Sequence, residues 1–182
     1  MSVTIATETD TQTLFTDLLE QHRGIVVKVA STYCWHADDR DDLSQEIVTQ
    51  LWRAFPRYDD SQPFSTWMYR VALNVSISWV RRHSIRQRHT VAYDEEAHPA
   101  AVVGKVPDED GRVAFLQRFI EGLDPLNRAL LLLYLEEQSY HDIAEILGIS
   151  ETNVGTKISR LKQRVREESA GLIDQGVTDG TQ

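Results

Sequence analysis

The feature that most constrains the fold lies near the C-terminus, where a glycine separates two short segments with helical spacing of apolar residues. Residues 142–147 form the first segment, Gly148 can supply the positive φ of a tight turn, and Ser150 can cap the helix that follows. The second segment repeats its apolar residues at helical spacing: Val154, Ile158, Leu161 and Val165. The pattern therefore predicts two amphipathic helices joined by a glycine turn.

The other face of the second predicted helix is polar and cationic. A rotation of about 100° per residue places these residues roughly opposite the apolar stripe: Asn153, Thr156, Lys157, Arg160 and Arg164. Lys162 and Arg166 lie to the side, toward phosphates or solvent. In a helix-turn-helix motif such a face enters the major groove of DNA, where arginine and lysine read guanine and asparagine reads adenine.

A solvated face on a core helix pair is the alternative interpretation. The glycine turn, the two apolar stripes and the small Ala144 at the helix crossing together favour DNA binding. Gly155 departs from this pattern, because glycine inside a helix costs about 1 kcal/mol relative to alanine. A close approach of the backbone to a DNA phosphate would explain it.

The rest of the chain also has helical periodicity, and no strand pattern is present. Helices are predicted over 13–35 (one or two), 40–55 and 65–83, then from 113 to about 122 and from 125 onward. Residues 91–110 contain six acids and one lysine without apolar periodicity, which predicts a flexible acidic linker. The tail from 176 is predicted to be disordered. We therefore expect an all-α protein of two small helical domains, 10–90 and 111–172.

The third predicted helix carries a cationic stripe, although the formal net charge of the chain is −9. No acid occurs between Ser61 and Tyr93. One stripe of the helix holds Trp67, Arg70, Asn74, Ser78 and Arg81. Bases of unpaired nucleic acid stack on aromatic rings while arginines hold the phosphates, so this stripe favours single-stranded DNA. The alternative is that Trp67 is a core residue.

The second predicted helix has the opposite character. One face is apolar, and the other projects an acidic and polar set with Trp52 at its margin: Asp42, Gln45, Glu46, Thr49 and Arg53. An acidic face repels DNA, so its partner would be a basic protein surface. A solvated acidic face is again the alternative.

Composition and motifs argue against a secreted protein, a membrane protein, a metalloprotein and an enzyme. Cys34 is the single cysteine, so no intramolecular disulfide can form and a reducing cytoplasm is expected. The N-terminus lacks a signal-peptide pattern, and the longest apolar run, 129–135, is too short to span a membrane. Cys34 and His36 supply two potential metal ligands where a structural zinc site needs four. With no phosphate-binding glycine motif either, we expect no enzyme, no cofactor and no metal.

Three segments in chain order carry a family resemblance. They are DDLSQEIVTQLWRAFPRYD, FSTWMYRVALNVSISWVRR and SYHDIAEILGISETNVGTKISRLKQRVR. Together they resemble an extracytoplasmic-function (ECF) sigma factor of bacterial RNA polymerase over about residues 12–168. In order they look like its core-binding helix, its promoter-melting helix and its helix-turn-helix for the promoter −35 element.

The resemblance implies roles for particular residues. Contacts to the clamp coiled coil of the polymerase β′ subunit would come from Asp41, Asp42, Gln45, Glu46, Thr49 and Trp52. Contacts to the −10 element, with a base captured by the loop 57–64 and Asn74, would come from Arg57, Ser61, Phe64, Trp67, Arg70, Asn74, Arg81 and Arg82. Contacts to the −35 element would come from Ser150, Thr152, Asn153, Thr156, Lys157, Arg160 and Arg164.

The resemblance also implies the partners. They are core RNA polymerase, through its β′ and β subunits, promoter DNA and an anti-sigma factor that is often at the membrane, with no small-molecule substrate. This sequence departs from the family at Ser78, where an acid is frequent, and at Gly155-Thr156-Lys157 in the recognition helix. A conventional helix-turn-helix regulator and a sigma-like decoy that binds only an anti-sigma factor are the alternatives.

Overall fold

The computed structural model describes the backbone of residues 8–90 and 112–176, and side chains within them from 9 to 83 and from 113 to 170. Every regular element in this part of the chain is helical, which confirms the predicted all-α fold class. The helices form two compact units, one containing α1–α3 and the other α4–α7. The predicted linker, 91–110, and the end of the predicted disordered tail lie outside the described residues.

The first unit is a three-helix arrangement in which each helix contacts the other two. Its helices are α1 (Glu8–Tyr33), α2 (Ala37–Ala54) and α3 (Phe64–Thr90), with a turn of 3-10 helix at Phe55–Arg57. The segment predicted as one or two helices is the single helix α1. Helix α3 continues past His83, the residue at which periodicity predicted its end.

The core of the first unit is built from the apolar faces that the periodicity predicted. Leu43, Ile47 and Leu51 of α2 are completely buried, as are Met68 and Ala72 of α3. Burial of a leucine or isoleucine side chain contributes about 1.5–3 kcal/mol, so these faces set the rotation of both helices about their axes. The acidic side of α2 and the cationic side of α3 are consequently directed away from this core.

An aromatic cluster closes the chain reversal between α2 and α3. The rings of Phe55, Tyr58, Phe64 and Trp67 lie against one another, with centroids of Tyr58 and Trp67 5.1 Å apart. The Tyr58 hydroxyl also donates a hydrogen bond of 2.9 Å to the carbonyl of Gln62. The connection between the two helices is therefore held by packed rings.

The second unit contains α4 (Arg112–Glu121), α5 (Pro125–Leu135), α6 (Tyr140–Leu147) and α7 (Glu151–Gly176). Asp124 caps α5, because its carboxylate accepts hydrogen bonds from the backbone N–H groups of Leu126 and Asn127. Arg128 reaches back from α5 to donate to the carbonyls of Glu121 and Leu123. These bonds satisfy backbone groups at both ends of the α4–α5 connection.

Helix α7 packs its apolar stripe against α5 and α6. Val154, Ile158 and Leu161 are buried, as predicted, and they face a core that includes Leu130 and Ile143. Val165, the last predicted member of the stripe, is only half-buried because it lies at the edge of a surface groove described below.

The turn of the helix-turn-helix has the predicted geometry. Gly148 adopts φ of 67°, and the N–H of Ile149 donates to the carbonyl of Ala144 at 3.1 Å. The Ser150 hydroxyl accepts from the N–H of Asn153 at 3.3 Å, so the predicted cap of α7 is present.

Gly155 lies where α7 crosses α6. A Cβ atom added there would lie 3.6 Å from Cε2 of Tyr140, which is ordinary van der Waals contact. No left-handed φ is involved, so neither the backbone nor a neighbouring side chain of this chain requires glycine.

We predict opposite effects of the same substitution at two glycines. Gly155→Ala should stabilise the second unit by about 0.5–1 kcal/mol, because alanine restricts the unfolded chain and favours the helix. Gly148→Ala should destabilise it by about 1–2 kcal/mol, because its φ is left-handed. Hydrogen exchange of α7 amides measures both effects, since all four tryptophans lie outside this unit. Destabilisation by Gly155→Ala would contradict this account.

Candidate nucleic-acid and protein interfaces

The cationic face of α7 is accessible. All the residues predicted to contact the −35 element are exposed except Lys157, which is half-buried: Ser150, Thr152, Asn153, Thr156, Arg160 and Arg164. The structure brings Lys157, Arg160 and Arg164 together around a cleft of about 160 Å³. Asn127, at the start of α5, lines the same cleft and was missed by the sequence analysis, because only tertiary packing brings it to α7.

Two of the basic side chains of α7 have partners within the protein. Arg164 donates from Nε to Glu168 at 2.6 Å, and its guanidinium lies 5.3 Å from the centroid of Phe119. Lys162 lies over the ring of Tyr134, 4.3 Å from its centroid, so the expectation that it faces only phosphates or solvent is incomplete. A hydrogen bond with Tyr134 raises the pKa of Lys162.

A hydrogen-bonded pair joins the first turns of α6 and α7. His141 Nδ1 lies 2.7 Å from Glu151 Oε1, and both side chains are exposed. The hydrogen bond to Glu151, followed by the charges of Glu151, Asp142 and Glu145, raises the pKa of His141 above its usual value. Protonation of His141 therefore strengthens the connection between the two helices of the motif.

The stripe of α3 is only partly accessible. Asn74, Ser78, Arg81 and Arg82 are exposed and Arg70 is half-buried. These residues are accessible to a nucleic-acid strand. Arg81 and Arg82 lie close to His83, the last residue of α3 whose side chain is described.

The two aromatic residues predicted to contact the −10 element do not fit that role. Trp67 is 7% exposed and Phe64 is 6% exposed, because both rings belong to the aromatic cluster. Trp67 is therefore a core residue, as the alternative interpretation held, and the prediction that bases stack on it is wrong. Helical spacing placed Trp67 in line with exposed polar residues, but the loop from α2 covers it.

Phe64, the last residue of the loop 57–64, and Asn74 lie at different heights along α3. Arg57 and Ser61 are exposed, and Ser61 donates from both its N–H and its hydroxyl to the Asp59 carboxylate. These bonds lower the pKa of Asp59. Asn74 lies ten residues beyond the start of α3, about 15 Å along the helix axis, and lines a groove with α2.

That groove runs between α2 and α3 and has a volume of about 390 Å³. Its lining includes Glu46, Gln50, Val71, Asn74, Ser78 and Arg82. The sequence analysis missed Gln50, which lies one turn beyond Glu46 and donates from Nε2 to its carboxylate at 3.0 Å. The sequence did contain a signal for this pair, because an amide four residues after a glutamate on a helix can hydrogen-bond to it.

The polar face of α2 is accessible as predicted. Asp41, Asp42, Gln45 and Thr49 are exposed, and Glu46 is half-buried at the groove. Trp52 is 40% exposed and packs its edge on Phe15 of α1, 5.1 Å between centroids. The face combines carboxylates with an anchored aromatic ring, which suits a basic protein partner.

An apolar groove of about 340 Å³ lies on the second unit and was also missed by the sequence analysis. Its walls include Leu116, Leu131, Leu135 and Ile158, with the basic residues Lys162 and Arg166 among the lining. Leu135 is 55% exposed. Apolar patches rimmed by charge mark protein-interaction surfaces.

Two family models match the chain at the two units just described. Sigma-70 region 2 matches residues 18–85, and sigma-70 region 4 matches residues 116–165, together more than half of the chain. Curated relatives that match over more than four fifths of the chain include ECF sigma factors. The chain belongs to the ECF sigma factors. Such proteins are transcription initiation factors that act with RNA polymerase on promoter DNA, and they are generally not enzymes.

Relatives of this sigma factor share its sequence at moderate identity. ECF sigma factor SigE of Mycolicibacterium smegmatis is 28% identical over 83% of this chain, which spans 60% of that relative. SigW of Bacillus subtilis is 23% identical over 88% of this chain and 91% of its own length. The chain thus spans nearly all of one relative and less than two thirds of another.

Solved structures agree on the fold of this sigma factor. CnrH, solved in complex with the cytosolic domain of CnrY, aligns with a TM-score of 0.64 at 19% identity, covering 88% of this chain and 90% of that one. RpoE of Bartonella quintana, solved with the anti-sigma factor NepR, aligns with a TM-score of 0.62 at 19% identity, covering 91% and 98%.

None of the described helices has the length and hydropathy to cross a membrane. Within the described ranges, no group of three or more histidine, cysteine or acidic side chains could hold a metal ion.

We predict a pH-dependent contribution from His141. Because its pKa is raised, its stabilisation is fully present below the ordinary histidine value of about 6.5 and is lost as pH rises through the folded-state pKa. In Glu151→Gln, NMR titration should show a lower pKa for His141. The difference in unfolding free energy between variant and wild type should be larger at about pH 6 than at about pH 9. An unchanged pKa would disprove the pairing.

Proposed function

We propose that this sigma factor docks on core RNA polymerase through the acidic face of α2 and holds promoter DNA on the exposed cationic faces of α3 and α7. The observation that supports this most strongly is the separation of charge. Carboxylates occupy one exposed face of α2, whereas exposed arginines occupy α3 in the first unit and α7 in the second. One chain therefore offers a surface for a basic protein and two surfaces for DNA.

The −35 element is assigned to α7. Asn153 and Arg160 are exposed on the face opposite the buried stripe, and α7 follows a glycine turn in a helix-turn-helix. Such a helix enters the major groove, where bidentate contacts discriminate bases. Arg164 and Lys157, gathered around one cleft with Arg160, would add base or phosphate contacts.

The melted −10 strand is assigned to the first unit. Asn74 supplies an amide that can bond a base edge, while Arg81 and Arg82 are exposed cations for phosphates. Arg57 and Ser61 extend this surface from the loop before α3. Trp67 and Phe64 act indirectly, because their packing supports that loop.

The polymerase contacts are assigned to one surface on each unit. Asp41, Asp42 and Gln45, with Trp52 beside them, would meet the basic clamp coiled coil of β′. The apolar groove of the second unit would meet the β subunit, since its exposed Leu135 and basic rim suit an amphipathic acidic segment.

Regulation by an anti-sigma factor is part of the proposal. Both structural neighbours were solved with a second protein, named as an anti-sigma factor in the RpoE complex. A partner that covered the acidic and cationic faces would keep this cytoplasmic protein from polymerase. Where that partner spans the membrane, it would hold the sigma factor there.

The test is reconstituted transcription. Purified protein with core polymerase should initiate at a discrete set of promoters on genomic DNA, and the same promoters should be occupied in genome-wide mapping. Protein that binds DNA but never core polymerase would indicate a conventional regulator. Protein that binds neither would indicate a decoy.

We predict that charge reversal of α2 separates core binding from folding. Asp41→Lys with Asp42→Lys should weaken core binding by about 100-fold or more, because like charges across an interface cost several kcal/mol. Asp17→Lys with Glu20→Lys on exposed α1 makes the same change in net charge and is the control. Transcription that survives the α2 reversal would refute this docking assignment.

We predict that Arg160→Ala weakens −35 binding by roughly 1–3 kcal/mol and relaxes specificity at one base pair, if Arg160 reads a base edge. Arg118→Ala, an exposed cation of α4 in the same unit, is the matched control. Binding to variant promoters distinguishes the roles. A uniform loss across sequences would make Arg160 a phosphate contact.

A further inference from the structure

A histidine–glutamate pair joins the first turns of the two helices of the helix-turn-helix. His141 Nδ1 in α6 lies 2.7 Å from Oε1 of Glu151 in α7, and the two side chains are 75% and 56% exposed. Ile143 and Ile146, on the other side of α6, are buried in the core. The pair is therefore accessible at the end of the motif where α7 begins.

This end of the motif is the one that approaches DNA in the proposed function, on which the present inference rests. The N-terminal residues of a recognition helix contact base edges, and the helix before it crosses the sugar–phosphate backbone. Glu151 is the first residue of α7, and His141 is the second residue of α6. A backbone phosphate of bound DNA can therefore come close to the imidazole.

The hydrogen bond to Glu151 determines which ring nitrogen of His141 carries a proton. A carboxylate only accepts hydrogen bonds, so Nδ1 is the donor in this pair. In the neutral imidazole the other nitrogen, Nε2, then has a lone pair and no proton, and it repels a phosphate oxygen. In the imidazolium form Nε2 also carries a proton, so it can donate to a phosphate while Nδ1 keeps its bond to Glu151.

The charges that act on His141 in the described part of the chain are all negative. They come from Glu151 of α7 and from Asp142 and Glu145 of α6. The hydrogen bond to Glu151, followed by these charges, raises the pKa of His141 above its usual value of about 6.5. With neutral His141, this corner of the motif presents three carboxylates to an approaching phosphate, and protonation of the imidazole offsets one of them.

The flank of α7 next to α6 carries no cation between Glu151 and Ser159. Gly155 lies one helical turn after Glu151, and a Cβ atom added there would lie 3.6 Å from the Tyr140 ring. Three basic residues of α7 gather instead at the cleft beside α5. The absence of a side chain at Gly155 leaves room for a DNA strand, and His141 is the group beside it that can gain a positive charge.

We propose that His141 is a DNA-phosphate contact of the second unit whose protonation sets the affinity for promoter DNA, with Glu151 as the positioning residue that fixes its tautomer. Proton binding and DNA binding are then coupled, and the coupling is reciprocal. Affinity is greatest where His141 is protonated and falls as pH rises through the pKa that His141 has beside DNA. Promoter binding thereby responds to pH in the range in which histidine titrates.

The test measures the affinity of holoenzyme for a promoter found by reconstituted transcription, from about pH 6 to about pH 9. Wild type should lose roughly 5- to 20-fold more affinity over this range than His141→Gln. The slope of log affinity against log salt concentration should steepen by about 0.9 more in wild type than in His141→Gln as pH falls, because one further phosphate is neutralised. His141→Lys, a permanent cation, should keep the steeper slope at high pH.

Two further variants control for general effects of pH and charge. His36→Gln changes an exposed histidine of the first unit whose side chain makes no capping hydrogen bond, and it should keep the wild-type profile. Glu151→Gln should move the loss of affinity to lower pH, because the carboxylate no longer raises the pKa of His141.

The outcomes separate this inference from the proposed function. Coincident pH profiles of wild type and His141→Gln would overturn the inference alone. A loss of affinity in His141→Gln that is equal at both ends of the pH range, with an unchanged salt slope, would make His141 a structural residue and would also overturn it. Wild-type holoenzyme that initiates at no promoter would overturn the proposed function and the inference with it.

Discussion

Burial of one apolar stripe on α7 determines what the second unit can do. Val154, Ile158 and Leu161 are held against α5 and α6, and this packing fixes the rotation of α7 about its axis. The rotation of α7 directs its cationic side chains outward, and Arg164 and Lys162 additionally have partners within the protein. The glycine turn at Gly148 and the Ser150 cap set where α7 begins, and therefore which residues form its first turn.

In the first unit, core packing likewise determines which faces of two oppositely charged helices are exposed. Helices α2 and α3 share one core, yet α2 exposes carboxylates and α3 exposes arginines. Where the two polar faces meet, at the edge of the core, they form a groove with Glu46 on one wall and Arg82 on the other. The charges of this chain are sorted by helix face, which its formal net charge of −9 does not show, and this sorting makes the proposed binding to DNA possible.

Sequence periodicity predicted most of the fold because amphipathic helices repeat locally. The cap at Ser150, the turn at Gly148 and the burial of Val154, Ile158 and Leu161 all involve residues close in the chain, and all are confirmed. Trp67 was predicted wrongly because its burial depends on a loop that packs from another element. Asn127 was missed for the same reason, since tertiary packing brings it to the cleft beside α7, whereas Gln50 was missed although its partner Glu46 is only four residues away.

The contact between Arg164 and Glu168 has a consequence for the search along DNA. A phosphate that used the Nε–H of Arg164 would have to displace the Glu168 carboxylate, and one that drew the guanidinium outward would break its contact with the Phe119 ring. An exposed ion pair of this kind is worth about 0–1 kcal/mol, so displacement is easy once α7 is seated. If α7 binds DNA as proposed, the same pair would offset one positive charge of α7 during brief encounters and lower its attraction for arbitrary DNA. Glu168 would thus act as an internal counterion that weakens nonspecific association with DNA. Arg164 would still be able to contact a duplex bound at α7.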